Sequence, residues 1–535
     1  MGIIDRLFAN TALYHWVNHR NLYLLGLSTI IAGLSWSNAL MSIGQFILLG
    51  NFLLELNFKQ KFSHLFKNPY SWILLSIYIL HIVGLLWTSD FDYAIKDLRI
   101  KLPLLLLPII VGSSPSLKKS EWKLLLQIYL LSLLLLSLIS FSKLLDFQNQ
   151  VFYDKRGLSI RISHIRYGLN LAFAAAILLI NQPLFKHKLS QYALSLYFII
   201  CLLSFELYSG LLCFVIFLFV WLIKKGLNPK LLTIQKLIIF IFIALVAGFG
   251  SLYIYSIYQD YARVEKTSYD QTKLQYTTAN NNYYWSDTSD YRTINGVRII
   301  RNISIKELRS EWPKRSEMDL TGKDKKGQKL EITLIHYLTS KGYNKDSIGL
   351  HSLTDRDIVA IENGVANYRY LDFNPIEKRF HTTFYEIDIY RKTGYVEGLS
   401  LALRLHYWKT GWDIIQKSPW YGIGTGDVNT AFQQAYEEAE KPIAEQYRRR
   451  THNQYLTFSV AFGIVGFCLW IFYLLASLLK KKGDFKEMYI AFWIISVFSF
   501  FTEDTLETQA GVTFFALFNI LFVLGINKNQ DQSSR

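Results

Sequence analysis

Cysteine is almost absent from this chain of 535 residues; there are three, Cys201, Cys213 and Cys468. All three fall inside apolar blocks, which excludes a disulfide framework or a Cys-x-x-Cys metal site in the polar part. Charge is sparse as well. Asp, Glu, Lys and Arg make up 18% of the residues, against about a quarter in soluble domains. Acid is the scarcer sign, with 41 Asp and Glu against 57 Lys and Arg and a net charge of +16. The excess base lies largely in loops beside apolar blocks, so nucleic acid is not expected as a partner. No tandem repeat of the solenoid kind is present. The stretch before the first apolar block lacks a small-residue cleavage site, so that block is expected to be a retained helix.

What the chain does have is grease in blocks: 51% of residues are hydrophobic and the mean hydropathy is +0.19. A helix needs about 20 apolar residues to cross a bilayer core. Twelve helical blocks are expected, near 21–38, 39–56, 71–88, 99–113, 122–145, 165–182, 192–208, 209–223, 236–258, 453–479, 488–502 and 508–526. The run 192–223 is too long for one span and is divided at Glu206 and Ser209-Gly210. The expected fold class is an all-α polytopic membrane protein with a soluble α/β insert. Lysines after the second, fourth, sixth, eighth and tenth blocks mark the cytoplasmic side, which puts both termini in the cytoplasm. It also puts 259–452 and the loops 146–164 and 503–507 outside. The expected divisions are a membrane domain 1–258, an insert 259–402, a helix–turn segment 403–452, and C-terminal membrane helices with a tail, 453–535.

Two outside loops carry base on the wrong side. One holds Lys96, Arg99 and Lys101, for which pairing with Asp90, Asp92 or lipid phosphate is the expected reason. The other, "YDKRGLSIRISHIRYGLN", holds Lys155, Arg156, Arg161 and Arg166. Arg166 lies within the start of a helix, where an unpaired charge is expensive. Arg161 and Arg166 are therefore expected to meet an anionic ligand.

Within the insert, Thr354 and Asp357 resemble a capping box, Pro313 stops the helix "IKELRSEWP", and "KLEITLI" and "FYEIDIYR" suggest strands. "YTTANNNYYWSD" reads as a solvated loop. Farther on, "LRLHYWKTGWDIIQKSPWYGIGTGD" (403–427) has Arg404 and Trp408 at helical spacing, a stop at Pro419 and a tight glycine turn. That turn follows a helix and is not GxGxxG, so it is not a nucleotide loop. It is expected to let the chain pack closely on the membrane domain.

His452, Arg404, Arg161 and Arg166 are all expected at the outer boundary. Guanidinium forks suit phosphate oxygens, and a neutral imidazole accepts a hydroxyl proton. Together they suit displacement at a carbon that bears a diphosphate leaving group. Arg449, Arg450, Asn453, Glu503 and Asp504 complete the expected substrate-contacting set. The carboxylates of "TEDTLET" (Glu503, Asp504, Glu507) could bind a cation, pair with the arginines or serve as the base instead, and pairing is the expected role. No cofactor is expected.

"HNQYLTFSVAFGIVG" resembles the signature of bacterial O-antigen ligases: His452-Asn453, nine residues, Gly463, two residues, Gly466. The upstream stretch "RLHYWKTGWDIIQKSPWYGIGTGD", which begins at Arg404, resembles what precedes that signature in the O-antigen ligase and polymerase superfamily. "EDTLETQAG" looks like a Bacteroidetes-type branch. The resemblance implies a metal-independent, inverting glycosyltransferase of the GT-C type in the bacterial inner membrane. Its donor would be a glycan on undecaprenyl diphosphate, and its acceptor the lipid A–core of lipopolysaccharide. By the same resemblance His452 would activate the acceptor hydroxyl and Arg404 would contact the diphosphate. The family's mid-chain Ser-Arg-Gly is here "LYSGLL", without arginine, which leaves Arg161 or Arg166 to supply that charge. A protein O-oligosaccharyltransferase or a polymerase would use the same donor. A transporter, the alternative of a different class, would place charge at mid-membrane.

Overall fold

The structure, a computed structural model, describes residues 18–147, 155–180, 184–267, 274–439, 443–480 and 483–525. The expected tail, Lys481, Lys482, part of the loop 146–164 and the side chain of Arg156 lie outside the described residues. The chain forms two compact units, one of 1–143, 156–224 and 404–535, the other of 144–155 and 225–403.

The first unit begins with α1 (His19–Trp36), α2 (Asn38–Leu54), α3 (Phe58–Lys67), α4 (Pro69–Val83), α5 (Phe91–Lys101), α6 (Pro103–Ser113) and α7 (Lys119–Phe147). It continues with α8 (His164–Leu179), α9 (Lys188–Ser204) and α10 (Tyr208–Gly226). The expected division of 192–223 is present, with Glu206 at a positive φ of 55° between α9 and α10. Gly210 then packs on Gly168 of α8, where a Cβ would lie 2.2 Å from the Gly168 carbonyl oxygen.

The second unit contains α11 (Thr233–Thr267), α12 (Ile305–Glu311), α13 (Leu330–Ser340), α14 (Ser347–His351), α15 (Asp355–Glu362) and α16 (Pro375–Thr393). The only ladder among the described residues is the two-residue hairpin Thr293–Ile294 with Val297–Arg298. The insert is thus mainly helical, and both strands expected in it are helices. "KLEITLI" lies in α13 because Leu330, Leu334, Tyr337 and Leu338 share a helical face and bury it against Leu308, Trp312 and Ile361. "FYEIDIYR" lies in α16, whose start is fixed by an Asn374/Glu377 capping box with Pro375 at the first position. Gly394 closes that helix in the left-handed region. These start and stop signals outweigh the apparent alternation. The capping box expected at Thr354 and Asp357 is present.

The first unit resumes with α17 (Ser400–Lys417, begun in the second), α18 (Val428–Glu437), α19 (Gln454–Leu479), α20 (Lys486–Thr502) and α21 (Gln509–Leu524). Among the described residues, six helices are long and apolar enough to cross a membrane, or seven if the pair α2–α3, bent by 115°, counts as one. The chain is a multi-pass membrane protein. The apolar helices α8, α9 and α21 have only 16, 17 and 16 residues. At about 1.5 Å per residue they fall short of a bilayer core of about 30 Å.

Helix α19 is broken at Gly463, whose φ is +61°. A break inside an apolar helix leaves backbone groups that need partners, and the glycine turn after α17 supplies them. Ile423 and Gly424 donate their N–H groups to the carbonyls of Val460 (3.1 Å) and Ala461 (2.9 Å). Ile464 and Val465 donate in turn to the carbonyls of Pro419 (2.8 Å) and Trp420 (3.4 Å). Bonds between segments thus stand where helical bonds are interrupted. Only glycine permits the approach, because a Cβ at Gly463 would lie 2.4 Å from the Trp420 carbonyl carbon, and one at Gly422 2.4 Å from that of Ala461. Gly463→Ala combines this clash with a disfavoured φ and is expected to cost at least about 1–3 kcal/mol. It should lower the thermal unfolding temperature in detergent clearly more than Gly248→Ala, where a Cβ meets nothing within 4 Å.

Candidate functional site

The turn "GIGTGD" ends in Asp427, whose carboxylate accepts the backbone N–H groups of Ser89 (2.8 Å) and Asp90 (2.7 Å). Asp90 in turn caps α5 at Tyr93. Asp90 is therefore a helix cap rather than a partner for the lysines downstream. The same turn that fills the α19 break also fixes α5 against it.

The segment 448–453 leads into α19. Asn453 caps that helix, its side-chain oxygen accepting from the N–H groups of Tyr455 (3.0 Å) and Leu456 (3.2 Å). The asparagine expected to touch substrate has its acceptor committed to the backbone. His452 just before it has a left-handed φ of +48°, uncommon for a non-glycine residue. Asp504 stabilises this conformation. Its carboxylate accepts from the His452 N–H (3.1 Å), the Thr457 hydroxyl (2.8 Å) and the Thr451 hydroxyl (3.3 Å). The result is an imidazole projected from a fixed backbone.

Glu503, one residue earlier in the loop after α20, lies between a guanidinium and an imidazole. Its Oε1 accepts from Arg404 Nη2 at 2.8 Å, and its Oε2 is 3.6 Å from His452 Nδ1. The other guanidinium nitrogen of Arg404 donates to the Thr502 carbonyl. Burial pushes the Glu503 carboxyl up, but the imidazole and guanidinium beside it hold it below the ordinary glutamate range. The two outer members remain open: the His452 side chain is 37% exposed and that of Arg404 29%, against 7% for Glu503. The Tyr407 ring packs 5.8 Å from the imidazole.

The loop 503–507 has two further clamps. Arg166 is buried and donates to the Thr505 hydroxyl (3.1 Å) and the Asp504 carbonyl (3.4 Å). Glu507 accepts at Oε2 from Lys101 (3.0 Å) and Arg450 (3.0 Å), and at Oε1 from Gln454 (3.3 Å). Burial raises the Glu507 carboxyl, but Lys101 and Arg450 bring it well below its usual range. Lys101 also binds Asp97, so its partners are Asp97 and Glu507, not Asp90, Asp92 or lipid. Of the acids of "TEDTLET", Glu503 pairs with Arg404 and Glu507 with Arg450, whereas the Asp504 carboxylate accepts from the His452 N–H and two threonine hydroxyls.

The structure thus brings together Arg404, His452, Asn453, Glu503, Asp504, Arg166 and Arg450. Arg161 and Arg449 are exposed, and the Arg449 guanidinium turns to the Arg448 carbonyl (2.9 Å). Sequence reasoning missed Asp97, Gln454, Thr451 and Thr457. Gln454, directly after His-Asn, and the four-residue spacing of Glu503 and Glu507 were the available signals.

A buried pair that loses one partner costs about 3–5 kcal/mol, whereas an exposed pair is worth about 0–1 kcal/mol. Lys101→Ala removes the lysine from buried Asp97 and leaves Glu507 with Arg450 and Gln454 alone, and is expected to destabilise by the larger amount. Lys119→Ala, which removes the exposed pair with Asp484, is expected to change stability by the smaller. Unfolding of both variants in the same detergent measures the difference.

No curated protein matches this chain significantly. Residues 374–471 match the family model described as O-antigen ligase. That segment runs from the cap of α16 through Arg404, the glycine turn and His452 to the Gly463 break. Over this segment the chain is similar to the O-antigen ligase family.

Proposed function

We propose that the protein is an O-antigen ligase, moving a glycan from undecaprenyl diphosphate to the lipid A–core of lipopolysaccharide at the periplasmic face of the inner membrane. Members of the family are glycosyltransferase-like ligases or polymerases, which supports an enzyme of this kind. The observation that carries the reading is the pairing of a half-buried arginine and a half-buried histidine, both still open to solvent, across one buried carboxylate, Arg404–Glu503–His452. In the reaction, the acceptor hydroxyl oxygen attacks the anomeric carbon and its proton passes to the His452 imidazole. The bond from that carbon to the phosphate oxygen breaks, and the diphosphate leaves with the electron pair. Arg404 meets the charge that develops on it. Attack opposite the leaving group inverts the anomeric centre, and no step calls for a metal.

Arg166, buried and bound to the loop 503–507, acts by holding that loop rather than by touching phosphate. Of the candidate arginines, Arg161 and Arg449 are the other two exposed to an anionic ligand. The GT-C assignment, twelve spans, cytoplasmic termini and an outside insert belong to the same reading, with the short apolar helices α8, α9 and α21 counted as spans. A polymerase or a protein O-oligosaccharyltransferase would use the same donor site, and the acceptor alone separates them.

In a purified assay with a lipid-linked glycan and lipid A–core, His452→Ala is expected to lower transfer by about 10²–10⁴-fold. Arg404→Ala should also lose transfer, with weaker donor binding. Normal transfer by either variant overturns the assignment. Transfer to a protein or a growing glycan, with none to lipid A–core, would keep the donor chemistry and change the acceptor.

A further inference from the structure

We infer that Glu503 couples donor binding to the histidine: it holds Arg404 while the donor site is empty and passes to His452 when a diphosphate takes Arg404. The inference rests on the reading of Arg404 and His452 given above and assigns a role to the group between them. Glu503 is a positioning residue, since it is buried and acts through the two side chains that can meet substrate.

The geometry is unequal. Oε1 is hydrogen-bonded to Arg404 at 2.8 Å, whereas Oε2 stands 3.6 Å from His452 Nδ1, beyond a normal hydrogen bond. The carboxylate is thus committed to the arginine and only near the histidine. Phosphate oxygens compete for a guanidinium in the same forked geometry as a carboxylate. Once they engage Arg404, Glu503 is a buried charge short of a partner, which is costly. The nearest replacement is the Nδ1–H of His452, reached by a movement of less than an ångström. That bond fixes the tautomer in which Nε2 is free to accept a proton. It also places negative charge beside the imidazolium that forms when the acceptor hydroxyl gives up its proton.

The surroundings leave Glu503 as the charge free to shift. Asp504 is tied to the His452 backbone N–H and to two threonine hydroxyls. Tyr407 donates its hydroxyl to the Tyr447 carbonyl. Arg449 turns to a backbone carbonyl, and Arg450 is held by Glu507 and Tyr93. The backbone of His452 is fixed, so a shift of one carboxylate is enough to change the ring's partner.

The test is the separation of KM from kcat in Glu503→Gln. Without the carboxylate, Arg404 has no competitor to leave, so the donor KM is expected to fall several-fold. The histidine loses its supporting charge, so kcat is expected to fall by ten- to a hundredfold. A purely structural role would lower kcat and raise KM together, and that result, or an unchanged kcat, overturns the inference. Direct binding of undecaprenyl diphosphate, which needs no turnover, should be tighter in Glu503→Gln and overturns the inference if it is weaker. Glu503→Asp keeps the charge and should recover most of kcat; no recovery contradicts the coupling and serves as the check if the Gln variant folds poorly. The two claims fail separately. Full activity in His452→Ala or Arg404→Ala removes the reaction reading itself, whereas loss of activity there with no KM–kcat split at Glu503 removes only the coupling.

Discussion

A backbone amide in an apolar environment must find a partner, and the break in α19 at Gly463 shows how far that requirement reaches. Backbone groups on both sides of the break are taken up by residues 419–424. The turn can enter only because Gly422 and Gly463 have no Cβ. It carries Asp427, which orders Ser89 and Asp90 and with them the start of α5. Helix α5 then presents Asp97 and Lys101 to Glu507. Two glycines thus align the turn, α5 and the start of α19, just before which His452 stands.

Above this frame, a short acidic loop distributes charge. Glu503, Asp504 and Glu507 each have distinct partners: Arg404 with His452 nearby, the His452 backbone, and the buried Lys101 together with the half-buried Arg450. The buried pairs fix the loop, while the exposed ends of Arg404 and His452 remain open for a ligand. Neighbouring carboxylates in one short loop thus divide between anchoring the loop and pairing with side chains that remain open. Arg166, which looks from sequence like a phosphate contact, belongs to the fixing set.

Much of this is legible in the sequence. Apolar blocks of helical length predict helices, because a membrane allows few alternatives for the backbone. The break at Glu206 is marked by a charge and a glycine within grease. The spacing His452-Asn453 to Gly463 and Gly466 identifies the segment, although not the reason for Gly463, which lies in the packing of 419–424. The insert is less legible. Short windows such as "FYEIDIYR" alternate by chance, and the caps at Asn374, Glu377 and Gly394 decide the matter. Lys101 and Glu507 stand 406 residues apart in the chain, and nothing local at either end names the other.

The central claim is that Arg404 and His452 face the same diphosphate-linked carbon. A structure of the protein in lipid with undecaprenyl diphosphate bound tests it most directly. The account predicts density for the diphosphate on the Arg404 guanidinium, with Glu503 moved to within hydrogen-bond distance of His452 Nδ1. A diphosphate seated elsewhere, with the Arg404–Glu503 pair intact, would contradict it.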